Sequence, residues 1–198
     1  MVIGLALGLI IGLIALVIVI AFIFIYYYNR FTVLENRIDN SLSQIDVQLK
    51  KRADLVPALI KTVSGYAKHE KKIMDSVTKA RAALLNGGDI AGRVKAGDAL
   101  QNALGRLFAI AENYPNLRAN ENFLQLQNEL SAIEDKVAYA RQYYNDSVLE
   151  LENASEVFPG VFFFKLYGRQ KKEYLKIPES SREMPDIKFD EWILPIHR

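Results

Sequence analysis

The chain has 198 residues, no cysteine, two histidines and a formal net charge of +2, from 25 Lys and Arg against 23 Asp and Glu. This excludes disulfides and thiolate metal sites, and the mixing of both signs along the chain excludes the basic footprint of a nucleic-acid binder. His69 and His197 are too far apart in sequence to build a His-rich zinc site by themselves, and no HExxH, GxSxG or P-loop pattern occurs, so no metal or cofactor is expected.

Val2 to Tyr28 contains no charged residue and no His, Asn, Gln, Ser or Thr. That run exceeds the ~20 apolar residues that cross a bilayer, and as a helix it would be about 40 Å long against a hydrocarbon core of about 30 Å. Part of it must tilt or protrude. Tyr26, Tyr27 and Tyr28 form the protruding end, because amphipathic rings settle at headgroup level, and Asn29 and Arg30 then open the aqueous part. A cleaved signal would carry a basic n-region, a shorter apolar core and a small-residue cleavage site, none of which is present. An uncleaved anchor is therefore expected over residues 1–28. No Lys or Arg precedes the span, while Arg30 and Arg37 follow it, partly offset by Glu35 and Asp39. Lys50, Lys51 and Arg52 lie further on. This predicts a single-pass plasma-membrane protein with its N-terminus outside and the remainder in the cytosol. Gly4, Gly8 and Gly12 recur every four residues and would form a smooth stripe suited to helix association, although glycine is also simply common in membrane helices.

From Phe31 the apolar positions Leu34, Ile38, Leu42, Ile45, Leu49, Ala53, Val56, Ile60, Val63 and Ala67 step by three and four, the stripe of a long amphipathic helix. No Gly or Pro separates Tyr28 from Asp39, so this helix should continue the membrane helix as a stalk. At Pro57 it is expected to kink, the alternative being a new helix capped by Asp54. A second helix is expected over about Lys68 to Asn86, with Ile73, Val77, Ala80 and Leu84 inward and Asp75 paired with Lys79. A third should run from about Asp89 to Asn113, weakened by Gly92, Gly97 and Gly105. Tyr114, Pro115 and Asn116 break the chain, and Asn120 caps a fourth helix with the seam Phe123, Leu126, Leu130, Ile133, Val137, Ala140, Tyr144, Val148 and Leu151. Such a seam fits a coiled coil between chains or a bundle within one, and two long helices with two shorter ones make an up-and-down bundle the more economical arrangement.

The expected fold is therefore all-α: one N-terminal transmembrane helix continuing into an antiparallel four-helix bundle. The bundle domain would occupy residues 29–177, followed by an irregular tail over residues 178–198. In that tail Pro178, Pro185 and Pro195 interrupt any periodicity, and Ile187, Phe189 and Trp192 are available to dock elsewhere. An up-and-down path brings the end of the fourth helix back to the bilayer. There Phe162, Phe163, Phe164 and Lys165 precede Arg169, Lys171 and Lys172, which reads either as an interfacial patch on an anionic leaflet or as aromatics capping the bundle core beneath solvated cations.

The stretch from Ile45 to Pro57, IDVQLKKRADLVP, and Gly65 to Glu70, GYAKHE, resemble the signature of the LemA family. Further likenesses are Glu112 to Leu117, Ala119 to Phe123, Glu129-Leu130, Ala140-Arg141, Tyr144-Asn145 and Phe158-Pro159, so the resemblance covers about residues 25–177 in family order. Lys51 stands where arginine is common and Ala58 where asparagine is common, and the pattern does not cover the tail beyond Ile177. The resemblance implies a bacterial-type membrane protein with one N-terminal span, a cytosolic helical bundle and no known catalytic activity. It also implies a partner of the TPM-domain or membrane-metalloprotease kind, since LemA-like proteins are often encoded beside these.

Arg52, Asp54, His69, Glu70, Glu112, Glu121, Glu129, Glu134 and Arg141 are the polar positions to weigh. They are expected to be ion pairs and caps that fix bundle register, rather than a site pairing His69 with Glu70 or Glu112 as base or metal ligand. The expected function is a non-enzymatic, membrane-anchored scaffold that self-associates and binds a membrane or envelope protein. A membrane-shaping, lipid-contacting assembly is the alternative, and a hydrolase using His69 a distant third.

Overall fold

The computed structural model describes residues 2–175. The expected tail, with Ile187, Phe189, Trp192 and His197, lies outside the described residues.

Helix α1 runs from Val2 to Tyr66 as one element of 65 residues. Its first third is exposed on all sides, and it is the one helix among the described residues long and apolar enough to cross a membrane. Past Asn29 the same helix becomes the spine of the folded part, burying Phe31, Leu34, Ile38, Ile45, Leu49, Ala53, Val56, Leu59 and Val63. Leu42 and Ile60, expected in the seam, are only half-buried, whereas Phe31 and Leu59 extend it.

Pro57 lies inside α1, and no new helix begins at Asp54, which instead faces Lys50 at 3.5 Å. A proline has no N–H to give the carbonyl four residues before it, so the Ala53 oxygen loses its helical partner at a fully buried residue. Arg81 of the second helix donates its Nε–H to that oxygen at 2.7 Å. The helix survives its proline because a neighbour restores the missing bond.

Helix α2, Lys71–Leu85, descends along α1, placing Arg81 beside Ala53. Helix α3, Ile90–Ala111, climbs back; Asp89 caps it by accepting the Gly92 N–H at 2.9 Å. The expected break at Tyr114 to Asn116 is a single helical turn, α4, Pro115–Arg118, with proline at its start where no N–H is needed. Helix α5, Glu121–Glu156, begins at Asn120, whose side-chain oxygen accepts the Phe123 N–H at 3.0 Å, and descends the full length of the α1 stalk. Arg37 near the base of α1 meets Glu150 near the end of α5 at 3.3 Å, and Asn120 meets the Tyr66 hydroxyl at the top. A short helix α6, Gly160–Leu166, closes the lower end. The expected Asp75–Lys79 pair does not form; the i,i+4 ion pair observed is Lys50–Asp54.

Two cores result. The upper one lies among α1, α2, α3, α4 and α5 and includes Leu49, Val56, Val77, Leu100, Leu107, Leu117 and Val137. The lower one joins only α1, α5 and α6 through Phe31, Leu34, Ile38, Tyr144, Val148, Leu151, Phe163 and Phe164. Beyond α6 the chain turns upward again along α5: Tyr144 donates to the Glu173 carbonyl at 2.8 Å, and Asn145 both donates to and accepts from the Leu175 backbone. Burial, reinforced by Asp39 and Glu173, holds the Tyr144 phenol above its ordinary value.

The three glycines of α3 differ in kind. Gly97 is buried, and a Cβ there would lie 2.6 Å from Leu49 Cδ2, so its absence lets α3 approach α1 closely. A Cβ on Gly92 would meet the capping carboxylate of Asp89 at 2.7 Å, whereas Gly105 faces open space. Gly105→Ala should therefore stabilise the folded chain by about 0.5–1 kcal/mol, read from urea unfolding followed by circular dichroism. Arg81→Met leaves a buried carbonyl unpaired and should cost about 1–3 kcal/mol. In a Pro57→Ala background, where a helical N–H is restored, the same change should cost clearly less, and equal costs in both backgrounds would show that Arg81 does not repair the proline.

Candidate functional site

Of the residues singled out by sequence, Arg52, Glu134 and Arg141 meet in the middle of the bundle and the aromatic set lies at its membrane end, while His69, Glu70, Glu112, Glu121 and Glu129 lie apart from both. In the middle, Arg52 is 1% exposed and reaches from α1 between α3 and α5, pairing with Glu134 of α5 and facing the Gly97 carbonyl of α3 at 3.4 Å. Burial lowers the Arg52 pKa, opposed by Glu134, while the nearby Arg141 lowers it further. Arg141 in turn donates to Asp98 at 2.5 Å, and Arg93 meets Asp46 at 3.0 Å. Three helices are thus tied at one level by guanidinium–carboxylate pairs, whose fixed geometry suits register better than it suits net stability. Asp98 and Gly97 were not singled out by sequence reasoning, because a glycine and an isolated acid on a helix carry no signal of what crosses opposite them.

His69 is exposed in the turn before α2 and pairs with neither Glu70 nor Glu112. Glu70 accepts from the Tyr114 hydroxyl at 3.0 Å, which raises the Tyr114 pKa, and Glu112 is exposed. Glu129 accepts from Gln125 on the surface, and Glu121 lies in the first turn of α5, where a negative charge suits the helix dipole. Among the described residues no three His, Cys, Asp or Glu side chains are grouped so as to hold a metal ion.

The membrane end has a more particular construction. Helix α6 lies against the last turns of the apolar run. Phe163 stacks on Tyr27 with centroids 5.0 Å apart and meets Phe24 edge-on at 4.8 Å, while Phe164 meets Phe31 at 5.3 Å. The Tyr167 hydroxyl donates to the Phe24 carbonyl at 2.8 Å, and its ring abuts Tyr28. Gly160 lets the chain turn tightly from α5 into α6: a Cβ there would clash with the Ala154 carbonyl oxygen of α5, whereas the Tyr27 ring lies at ordinary contact distance. Arg169 then clamps the turn after α6, pairing with Glu35, donating to Thr32 Oγ1 at 2.7 Å and lying 5.2 Å from the Tyr28 ring centre.

The aromatic stretch therefore divides between the two expectations. Phe163 and Phe164 cap the lower core, while Phe162 and Lys165 face outward. The cations divide too, since Arg169 is committed to Glu35 and the exposed Lys171 to Glu152 and Glu156, while Lys165 and Lys172 meet no carboxylate among the described residues. Of the three tyrosines only Tyr27 is half-buried; Tyr26 and Tyr28 are exposed. Phe24, Phe31 and Tyr167 were missed as partners of this site, although Phe31 extends the Leu34–Ile38 seam and Tyr167 follows Phe163 by four. Gly4, Gly8 and Gly12 are exposed, with open space where a Cβ would stand.

Comparison with known proteins adds the following. Over 173 residues the chain is 25% identical to the magnetosome protein MamQ of Magnetospirillum gryphiswaldense, covering 74% of this chain and 64% of that one. A MamQ of Paramagnetospirillum magneticum is 23% identical over 175 residues, covering 75% and 64%. Protein LemA of Metamycoplasma hominis is 26% identical over 125 residues, covering 63% and 57%. The chain thus spans less than two thirds of the length of these relatives. The profile of the LemA family matches residues 41–189, beginning within α1 rather than at its membrane end and passing beyond Ile177 into the expected tail. The chain is a membrane-associated helical protein and belongs to the LemA family.

Proposed function

We propose that this protein is a membrane-anchored scaffold without catalysis of its own, which self-associates and presents its bundle to a membrane or envelope partner protein of the TPM-domain or membrane-metalloprotease kind. The observation that carries this reading is the continuity of α1: a single helix is both the apolar run and the spine of both cores. A bundle joined through a flexible linker would sample many orientations, whereas a bundle built on the anchor itself holds one face toward neighbours in the same membrane. Lateral association would use the face bearing Gly4, Gly8 and Gly12, which has open space beside it. The polar layer around Arg52 then serves register rather than reaction.

Particle mass in native nanodiscs tests self-association. The full-length protein is expected to form a defined assembly that falls to monomer in a span-deleted form, with Gly4→Leu plus Gly8→Leu lowering the mass; a full-length monomer would refute self-association. For orientation, Arg30 and Arg37 beside the span favour a cytosolic bundle. A C-terminal tag should resist protease in right-side-out vesicles, and cleavage from outside would reverse the topology.

A further inference from the structure

We propose that α6 is inserted into the lipid, its outer face occupying the headgroup–acyl boundary of the leaflet from which the bundle rises. This rests on the reading of Val2–Tyr28 as a membrane span and goes beyond it, because it assigns the folded domain a second, shallow contact with the same bilayer.

Depth comes first. The inner face of α6 is fastened to Phe24 and Tyr27 by ring contacts and by the Tyr167 hydroxyl on the Phe24 carbonyl. Phe24 lies five residues before Asn29, roughly 7 Å down a helix rising 1.5 Å per residue. A helix fastened at Phe24 shares its depth, which is that of amphipathic helices lying in a membrane surface. The chain path agrees: α5 descends to this point, and after Arg169 the backbone rises to pair with Tyr144 and Asn145, so α6 is the lowest part of the folded domain.

The chemistry of the outer face comes second. Phe162 and Leu166, four residues apart on α6, are 57% and 54% exposed, and Val157 and Phe158 in the turn before it are 64% and 84% exposed. In water this would be an unusual cluster for the end of a bundle. Beside the span it continues an apolar surface, because the helix face below Phe24 carries Ile20 and Val17, both exposed. Lys165 stands among these side chains, and its long stem lets the ammonium reach the headgroups while its carbons stay with the acyl chains. Arg169 and Lys171 are paired with carboxylates, so the contact combines this apolar face with Lys165 and Lys172 as the cations open to headgroups.

The test uses the full-length protein in liposomes, with Trp192→Phe as background and one tryptophan introduced at a time by Phe162→Trp, Phe158→Trp, Phe22→Trp in the span or Tyr139→Trp on the bundle surface. The indoles at 162 and 158 should emit to the blue of that at 139. They should also be quenched several-fold more by lipids with a nitroxide high on the acyl chain than by aqueous iodide, while that at 22 responds to deeper nitroxides. Iodide quenching at 162 and 158 with lipid quenching at 22 would overturn the insertion of α6 and leave the anchor standing. Iodide quenching at all three would overturn both. Blue emission at 162 and 158 with neither quencher effective would place protein, a second copy or a partner, on this face and overturn the assignment to lipid.

Discussion

The structure depends on α1 remaining one helix. Every other element is placed against it: α5 along its whole stalk, α2 and α3 over its upper part and α6 against the turns that leave the apolar run. The weak point is the Ala53 carbonyl, which Pro57 deprives of its partner in the middle of the upper core. Arg81 supplies the donor from another helix, so continuity of the spine and docking of the α2–α3 pair are maintained by the same bond. An unpaired carbonyl here would weaken the spine and its attachment together.

Guanidinium groups perform the comparable task elsewhere. Arg52, Arg141 and Arg93 cross between helices near the middle, and Arg169 closes the membrane end. Each has a carboxylate on a different helix, which makes them markers of alignment: sliding one helix by a turn would leave a guanidinium without its acid. Apolar seams alone tolerate such sliding more readily, because one leucine packs much like another.

The long elements were legible because their seams are long. In α5 the steps from Phe123 to Leu151 allow one helical face, and in α1 the absence of glycine and proline between Tyr28 and Asp39 leaves no place for a break where the apolar run meets the stalk. The cap Asn120 was legible from local chemistry, whereas Asp89 was read only as the start of the third helix. What sequence could not supply was the identity of partners across helices. Gly97 reads as a weak position until Leu49 and Arg52 are seen against it, and nothing in the sequence shows that Arg81 meets the carbonyl that Pro57 leaves free. The stretch at 162–164 reads as one aromatic patch, yet a helix turns adjacent side chains about 100° apart, so Phe163 and Phe164 enter the core while Phe162 cannot. The pairing of Arg169 and Lys171 was illegible for a similar reason, since the glutamates that meet them lie on other elements.

An unbroken spine also has a mechanical consequence. From Asn29 to Tyr66 the helix extends roughly 55 Å beyond the apolar run at 1.5 Å per residue. A rod of that length pivoting at the membrane sweeps its far end through roughly 10 Å for each 10° of tilt, and membrane helices tilt over several tens of degrees as bilayer thickness changes. Any tilt of the apolar run is thus geometrically amplified at the top of the bundle, near Glu70 and Tyr114.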